Sequence, residues 1–263
     1  MLNGFLYALF LVLFVIFIGI MIIVSVLLFI KAKERKMKNL FIVGLGFIAL
    51  PIGFIGDFAF NLGAIFLEVF VFICFVLAVV FTNMTFYKDR QKEANIVLII
   101  TVVLGVIQLI LIIINIDIEI NRPFEYYLRI SLDFLYIFLV FNWLGFSSYT
   151  AFKRFRDQEI EPWIKARYKM ITVFSFIMSF HGIPVFFQPI GVRWGDPSNV
   201  ISLLIFGITS ILTFIFSVGF LLAWLMPNWL KDKLNKDYEP KEDRVFSEED
   251  LMRIIKKQLK KDN

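Results

Sequence analysis

The sequence predicts an all-α integral membrane protein, built as a bundle of seven transmembrane helices. Two observations favour this fold class. Of the 263 residues 59% are hydrophobic, with a mean hydropathy of +0.80, and the apolar residues form seven long runs separated by stretches that hold most of the charges. A hydrocarbon core of about 30 Å is crossed by about 20 apolar residues in a helix. We therefore expect a multi-pass protein of the cell membrane, with the lipid bilayer as its first partner.

Each apolar run ends where charged or turn residues begin. The seven predicted spans are 5–30, 39–60, 64–87, 94–116, 126–148, 170–188 and 200–225, within a transmembrane domain of residues 1–230. The second and third spans are separated only by Asn61, Leu62 and Gly63, which predicts a tight antiparallel hairpin. The first run is too long for a signal peptide and has no basic residue before it, so we interpret it as a retained span.

Positive charge predicts the orientation. Of the 27 Lys and Arg residues, 24 fall on one side of the membrane, in 31–38, 88–92, 153–169 and the tail beyond 230. The other three are Arg122, Arg129 and Arg193. Because basic loops stay in the cytoplasm, we expect the N-terminus outside and the C-terminus in the cytoplasm. The same charge predicts attraction to anionic lipid at the cytoplasmic face, and it accounts for the basic pI of about 9.2 without a nucleic-acid partner.

The C-terminal tail is polar and divides into two parts. Residues 231–245 are predicted to be a flexible charged linker. Residues 246–263 are predicted to be a cytoplasmic basic amphipathic helix, because Ser247 and Asp250 fit a capping box before a leucine and isoleucine stripe. We expect the helix to dock on the inner leaflet, or to contact a cytoplasmic protein together with the connection 151–169, whose two ends are predicted to extend the neighbouring spans as helix.

Polar residues inside the spans are the candidate site. An ionisable group at the centre of a span costs roughly 2.5–3.5 kcal/mol on insertion scales, so such residues point to function. Five residues from five different spans lie in the predicted outer half: Asp57, Glu68, Gln108, Asp133 and His181. We predict that they bind a small-molecule ligand that enters from outside.

The second span carries a stripe of small residues that predicts close contact with another helix. Its members recur at helical spacing: Gly46, Ala49, Gly53 and Gly56. Asp57 follows this stripe, so we expect its side chain to face the bundle. Pro51 predicts a kink just before it.

The two acidic residues deeper in the bundle have different local partners. Asp133 lies four residues after Arg129, at a spacing that allows an ion pair within one helix. A simple structural pair is therefore one explanation of Asp133. Glu68 has no basic residue nearby in its own span, so it must find a partner on another helix, stay protonated or face water.

His181 begins a sequence that breaks a helix, because Gly182 and Pro184 follow it. Carbonyls freed at such a break need partners or water, which predicts an interior cavity. The alternative is a buried histidine bonded to a carbonyl or to the glutamine of the fourth span. We expect the outer loop 191–198 to close the cavity and Trp194 to anchor at the interface.

Several functions are excluded by what the spans lack. No span has an interior Lys for a retinal Schiff base, and one His does not build a bis-histidine haem or three-histidine zinc site. Ser147 and His181 differ in predicted depth by on the order of 15 Å, which excludes an intramembrane serine protease. The single Cys74 excludes an intrachain disulfide. We therefore predict no cofactor, no metal and no enzymatic activity.

The predicted plan resembles receptor-like seven-helix membrane proteins and the sensor modules of some microbial kinases, although no D-R-Y-like triplet or N-P-x-x-Y string is present. The resemblance implies a receptor or sensor that passes a conformational change to the cytoplasmic loops and tail. One alternative is a small-solute or proton-coupled transporter in which Glu68 and His181 exchange protons. The other is a non-catalytic membrane scaffold. The scarcity of polar residues in the inner half favours the receptor.

Overall fold

The structure is a computed structural model that describes residues 2–88, 90–115, 123–236 and 238. This part of the chain contains helices and no strand. They are α1 (Leu2–Arg35), α2 (Lys38–Phe60), α3 (Ala64–Phe86), α4 (Gln91–Asn115), α5 (Pro123–Arg156), α6 (Pro162–Ser179), a 3-10 helix (Ile183–Phe187), α7 (Val200–Leu225) and α8 (Asn228–Leu234). Seven segments are long and apolar enough to cross a membrane, the sixth being α6 together with the 3-10 helix. The predicted helical fold and number of spans are confirmed, and they suggest a multi-pass membrane protein.

The seven long helices form a closed ring. Each packs against its neighbours in the chain, and α1 also packs against α7. A further contact joins α3 and α5. We call the end with turn 61–63 and segment 188–199 the hairpin end, and the end with connections 36–37, 157–161 and 226–227 the basic end.

The turn between α2 and α3 is as tight as the sequence predicts. Asn61 ends α2 in the left-handed conformation (φ 52°), and the Leu62 amide donates to the Gly56 carbonyl at 3.0 Å. Gly63 then has φ +86°, which favours glycine. The predicted hairpin is confirmed.

The small-residue stripe of α2 packs against α3. A Cβ atom on Gly46 would lie 3.3 Å from the Cys74 carbonyl oxygen, and one on Gly53 would lie 2.9 Å from the Phe70 Cβ. At these distances a Cβ atom would force its neighbour in α3 to move. The predicted close approach is therefore confirmed, and its partner is α3.

Two predicted features of the fifth and sixth spans are confirmed. Both continue as helix beyond their apolar runs, α5 to Arg156 and α6 from Pro162, and a buried cluster of Ala151, Phe155, Ile160 and Ile164 joins these extensions. The predicted spans end at the first charged residues, but charged residues do not terminate a helix that continues into water. The predicted break also occurs, since α6 ends at Ser179 before the 3-10 helix.

Helix α8 covers part of the segment predicted as a linker. It packs against α6, where Lys231 Nζ lies 4.9 Å from the ring centroid of Trp163. Residues 239–263, including the predicted helix 246–263, lie outside the described residues.

Candidate functional site

A cavity of about 530 Å³ lies inside the bundle, and all seven long helices contribute to its wall. This volume is within the range of about 300–1,000 Å³ that is typical of small-molecule sites. The wall is largely aromatic, with Phe14, Phe17, Phe47, Phe54, Phe75, Phe141, Phe216 and Trp194 among its members. Such a cavity offers apolar contact to most of a bound molecule. The few polar groups of the wall can then orient that molecule.

Four of the five predicted site residues line this cavity. Glu68 comes from α3, Gln108 from α4, Asp133 from α5 and His181 from the turn that follows α6. Asp57 does not line it, because the cavity-lining face of α2 ends at Phe54, one turn earlier. The bundle therefore brings together the predicted residues of four spans and leaves the residue of the second span outside.

The two acidic side chains belong to one electrostatic network. Glu68 and Asp133 interact with each other and with Arg129, which also lines the cavity. The guanidinium of Arg129 lies 5.8 Å from the ring centroid of Tyr126. The predicted interaction within α5 is thus part of a larger set that crosses to α3, and the α3–α5 contact supplies the partners that Glu68 lacks locally.

The break after α6 places His181 at the cavity. A Cβ atom on Gly182 would lie 3.2 Å from the Phe134 Cα, so the turn lies directly against α5 next to Asp133. Within the described part of the chain, His181 Nδ1 and Gln108 Oε1 are buried without a hydrogen-bond partner. The alternative hydrogen bond between histidine and glutamine is therefore not formed by these two atoms.

The mouth at the hairpin end is held by Ser202 in the first turn of α7. Its hydroxyl donates to the Arg193 carbonyl at 2.7 Å and accepts from the Gly195 amide and from Gln188 Nε2, each at 3.1 Å. These three bonds fasten the segment 188–199 to the helix, so the covering of the cavity is anchored rather than loose.

Trp194 lies in this covering and packs into the bundle. Its ring is 4.7 Å from that of Phe206 and 6.0 Å from that of Phe14, between ring centroids. Val192 and Arg193 line the cavity beside it. The predicted loop therefore forms part of the cavity wall, but Trp194 packs against the core because the Ser202 bonds fold the loop back over the helices.

A carboxylate lies on the outside of the same segment. Asp196 Oδ1 accepts hydrogen bonds from the Ser198 hydroxyl at 2.7 Å and the Ser198 amide at 2.8 Å. These bonds hold the pKa of Asp196 below its ordinary value. Asp196 therefore carries a negative charge at neutral pH, on the same segment as the exposed cation Arg193.

Sequence reasoning missed Gln188 as a site residue and treated it as the end of the sixth span. Gln188 lines the cavity and is 6% exposed. Its Nε2 donates to the Val192 carbonyl at 2.8 Å, and its own carbonyl accepts from the Tyr126 hydroxyl at 3.0 Å. A polar residue beside Pro189 at the end of an apolar run is typical of a span boundary. The local sequence therefore gives no signal that Gln188 lines the cavity.

A second, smaller cavity of about 60 Å³ lies at the basic end, lined in part by Trp163 and Arg167. Phe81, Leu144 and Phe220 line both this cavity and the large one. These three apolar side chains, which we call the apolar partition, stand between the two spaces.

Arg167 and Lys31 join three helices at the basic end. Its Nε donates to the Ala223 carbonyl at 3.1 Å, and its guanidinium lies 5.3 Å and 5.8 Å from the ring centroids of Trp163 and Trp224. Lys31 Nζ from α1 donates to the Trp224 carbonyl at 2.6 Å. The ends of α1, α6 and α7 are thereby tied together.

We expect Arg167→Ala to lower the free energy of unfolding by about 1–3 kcal/mol, since it removes a charged hydrogen bond and two cation–π contacts. The measurement is the apparent melting temperature of the purified protein in detergent. Lys169→Ala is the control, because Lys169 is an exposed cation of the same helix. Equal melting temperatures for both variants would contradict the assigned role of Arg167.

In the described residues no group of three or more His, Cys, Asp or Glu side chains is placed to hold a metal ion. No protein-family model, curated protein or solved structure matches the chain. The function is therefore argued from the cavity and its side chains.

Proposed function

We propose that the protein is a non-catalytic receptor- or sensor-like membrane protein that binds a small molecule in the large cavity and passes a conformational change to its cytoplasmic loops and tail. The observation that carries this proposal is the convergence of Glu68, Gln108, Asp133 and His181 on one cavity of ligand size. In the proposed orientation the hairpin end faces outside, because the basic end carries the Lys and Arg residues of 31–38, 88–92 and 153–169.

The chemistry of the wall supports ligand binding. Polar atoms buried without partners cost about 1–3 kcal/mol each, and a bound molecule that supplies the missing hydrogen bonds recovers that cost. The surrounding aromatic rings provide the apolar area that most small-molecule sites use for affinity. A scaffold would need these polar groups paired with each other, whereas His181 Nδ1 and Gln108 Oε1 have no such partner.

The route for the signal is α6. The turn with His181 touches the cavity at one end of this helix, and Trp163 and Arg167 join it to α7 and α8 at the other. A ligand that moves the turn would displace this junction. The proposed readers are a cytoplasmic protein at 151–169 and 246–263 and anionic lipid at the same face.

A transporter is the second candidate, and the apolar partition favours it. Phe81, Leu144 and Phe220 separate a cavity at each end of the bundle, which is what alternating access requires of a closed state. In that case the partition would open on the basic side when the hairpin end closes.

The proposal is tested by incubating purified protein with a metabolite extract and identifying retained compounds by mass spectrometry. We expect Glu68→Gln and His181→Ala each to lower retention at least tenfold, because each removes a polar contact inside the cavity. Asp157→Asn is the control, since Asp157 is an exposed carboxylate directly after α5. Both variants should still insert and purify as a single folded species.

Retention that is unchanged in both cavity variants would contradict the proposed site. Uptake of the retained compound into proteoliposomes would instead support the transporter, because a receptor binds its ligand without moving it across the membrane.

A further inference from the structure

We infer that the ligand of the large cavity is a small organic cation, an ammonium group attached to an apolar or aromatic body. This inference rests on the proposed function and adds the chemical class of the ligand. It depends on three independent features of the wall, which are its hydrogen-bond acceptors, its charges and its aromatic rings.

Two buried hydrogen-bond acceptors of the wall are left for a ligand. Gln108 and Gln188 are 4% and 6% exposed, both line the cavity, and neither Oε1 atom accepts a hydrogen bond from a described residue. The orientation of Gln188 is fixed, because its Nε2 donates to the Val192 carbonyl and to Ser202. An ammonium group has three N–H donors and no acceptor, so it matches such a surface.

The ionisable side chains of the wall also favour a cationic ligand. Glu68, Asp133 and Arg129 all line the cavity, and Arg129 also takes part in a further interaction. A bound cation would stabilise the ionised form of these two carboxyl groups, since a buried carboxylate is costly unless it is paired. Arg193, the other cation of the wall, is exposed at the mouth and screened by solvent.

The aromatic walls favour an organic cation over a hydrated metal ion. The face of a phenyl or indole ring attracts a cation through its quadrupole, and it packs against the apolar part of the same molecule. Phe75 from α3 and Tyr126 and Phe141 from α5 supply rings on the same two helices that carry the carboxyl groups. A volume of about 530 Å³ also exceeds what a metal ion needs.

Three probes that share a phenylethyl body test the inference: 2-phenylethylammonium, 2-phenylethanol and 3-phenylpropanoate. Their affinities are measured by isothermal titration calorimetry on the full chain in lipid nanodiscs, with empty nanodiscs as the blank. We expect the ammonium probe to bind at least tenfold more tightly than the other two. Glu68→Gln and Asp133→Asn should each abolish that preference, and Glu34→Gln, at an exposed carboxylate of α1, should retain it.

The outcomes separate this inference from the proposed function. Binding of the alcohol or the carboxylate as tightly as the ammonium would overturn the cation and leave a ligand-binding cavity. A preference for ammonium that survives both cavity variants would overturn it as well. If none of the probes binds, the cation and the ligand-binding role fail together. The two variants are isosteric and independent, so one folded variant is sufficient.

Discussion

Replacing Gly53 by alanine is expected to destabilise the bundle, because the added methyl group has no space between α2 and α3. Its Cβ would lie 2.9 Å from the Phe70 Cβ and 3.1 Å from the Leu67 carbonyl oxygen. The oxygen belongs to the backbone of α3, so the helices must move apart. Overpacking of this kind costs about 1–3 kcal/mol.

Gly19→Ala is the matched control for this contact. Gly19 lies within α1, and nothing lies within 4 Å of the position its Cβ would take. Alanine favours a helix over glycine by about 1 kcal/mol at both sites, so the difference between the variants isolates the contact. We expect Gly53→Ala to melt lower than Gly19→Ala, by on the order of 2–4 °C per kcal/mol. Equal melting temperatures would contradict the close packing of α2 on α3.

Ser202→Ala is expected to have a comparable or larger effect, since one hydroxyl holds three groups of the mouth. The Gly195 amide loses its acceptor and the Arg193 carbonyl loses a donor. Leaving such groups unpaired when buried costs about 1–3 kcal/mol each, which predicts a total loss of about 2–4 kcal/mol. The apparent melting temperature and the protease sensitivity of segment 188–199 measure the effect.

Ser210→Ala on the same helix is the control for Ser202. Both serines are 0% exposed, but the Ser210 hydroxyl has no partner among the described residues. Its removal should change stability by less than about 0.5 kcal/mol, or stabilise the protein. If the two alanine variants behave alike, the hydroxyl of Ser202 does not fasten the mouth.

The predicted residues that line the cavity are those whose energetic cost can be recognised from the sequence alone. Glu68, Gln108 and Asp133 stand out because polar groups are expensive inside an apolar run. His181 stands out because glycine and proline after it break the helix. Each signal depends only on the local sequence, and the closed ring of helices turns the four residues toward one space.

The features that were missed depend on how distant segments meet. Gln188 and Ser202 became part of the site because the segment between them folds back over the bundle. Trp194 was expected at the membrane interface, because the sequence alone does not show that this segment folds back. Asp57 was placed in the site from its position after the glycine stripe, but the stripe packs against α3 and the cavity wall ends one turn earlier.

The boundaries of the fifth and sixth spans show the same limit. Hydropathy ends a span at the first charges, whereas the helices continue to Arg156 and from Pro162. What holds these extensions is the buried cluster of Phe155, Ile160 and Ile164, which belongs to neither apolar run. The extensions were predicted as helix, but the packing between them appears only in three dimensions.

The central claim, a cavity that a ligand reaches from the hairpin end and not from the basic end, is tested most directly by thiol labelling. His181→Cys and Ile183→Cys are made singly in a Cys74→Ser background, because Cys74 is the one native cysteine. Ile183 is the control, since its side chain is 42% exposed on the outside of the bundle at a similar depth.

A membrane-impermeant methanethiosulfonate reagent is applied to intact cells and to inverted vesicles. We expect the cysteine at position 181 to react from the cell exterior only, and the cysteine at position 183 to react from neither side. Reaction from both sides would contradict a closed partition and favour the transporter. No reaction of the cysteine at position 181 from either side would contradict access to the cavity from the hairpin end.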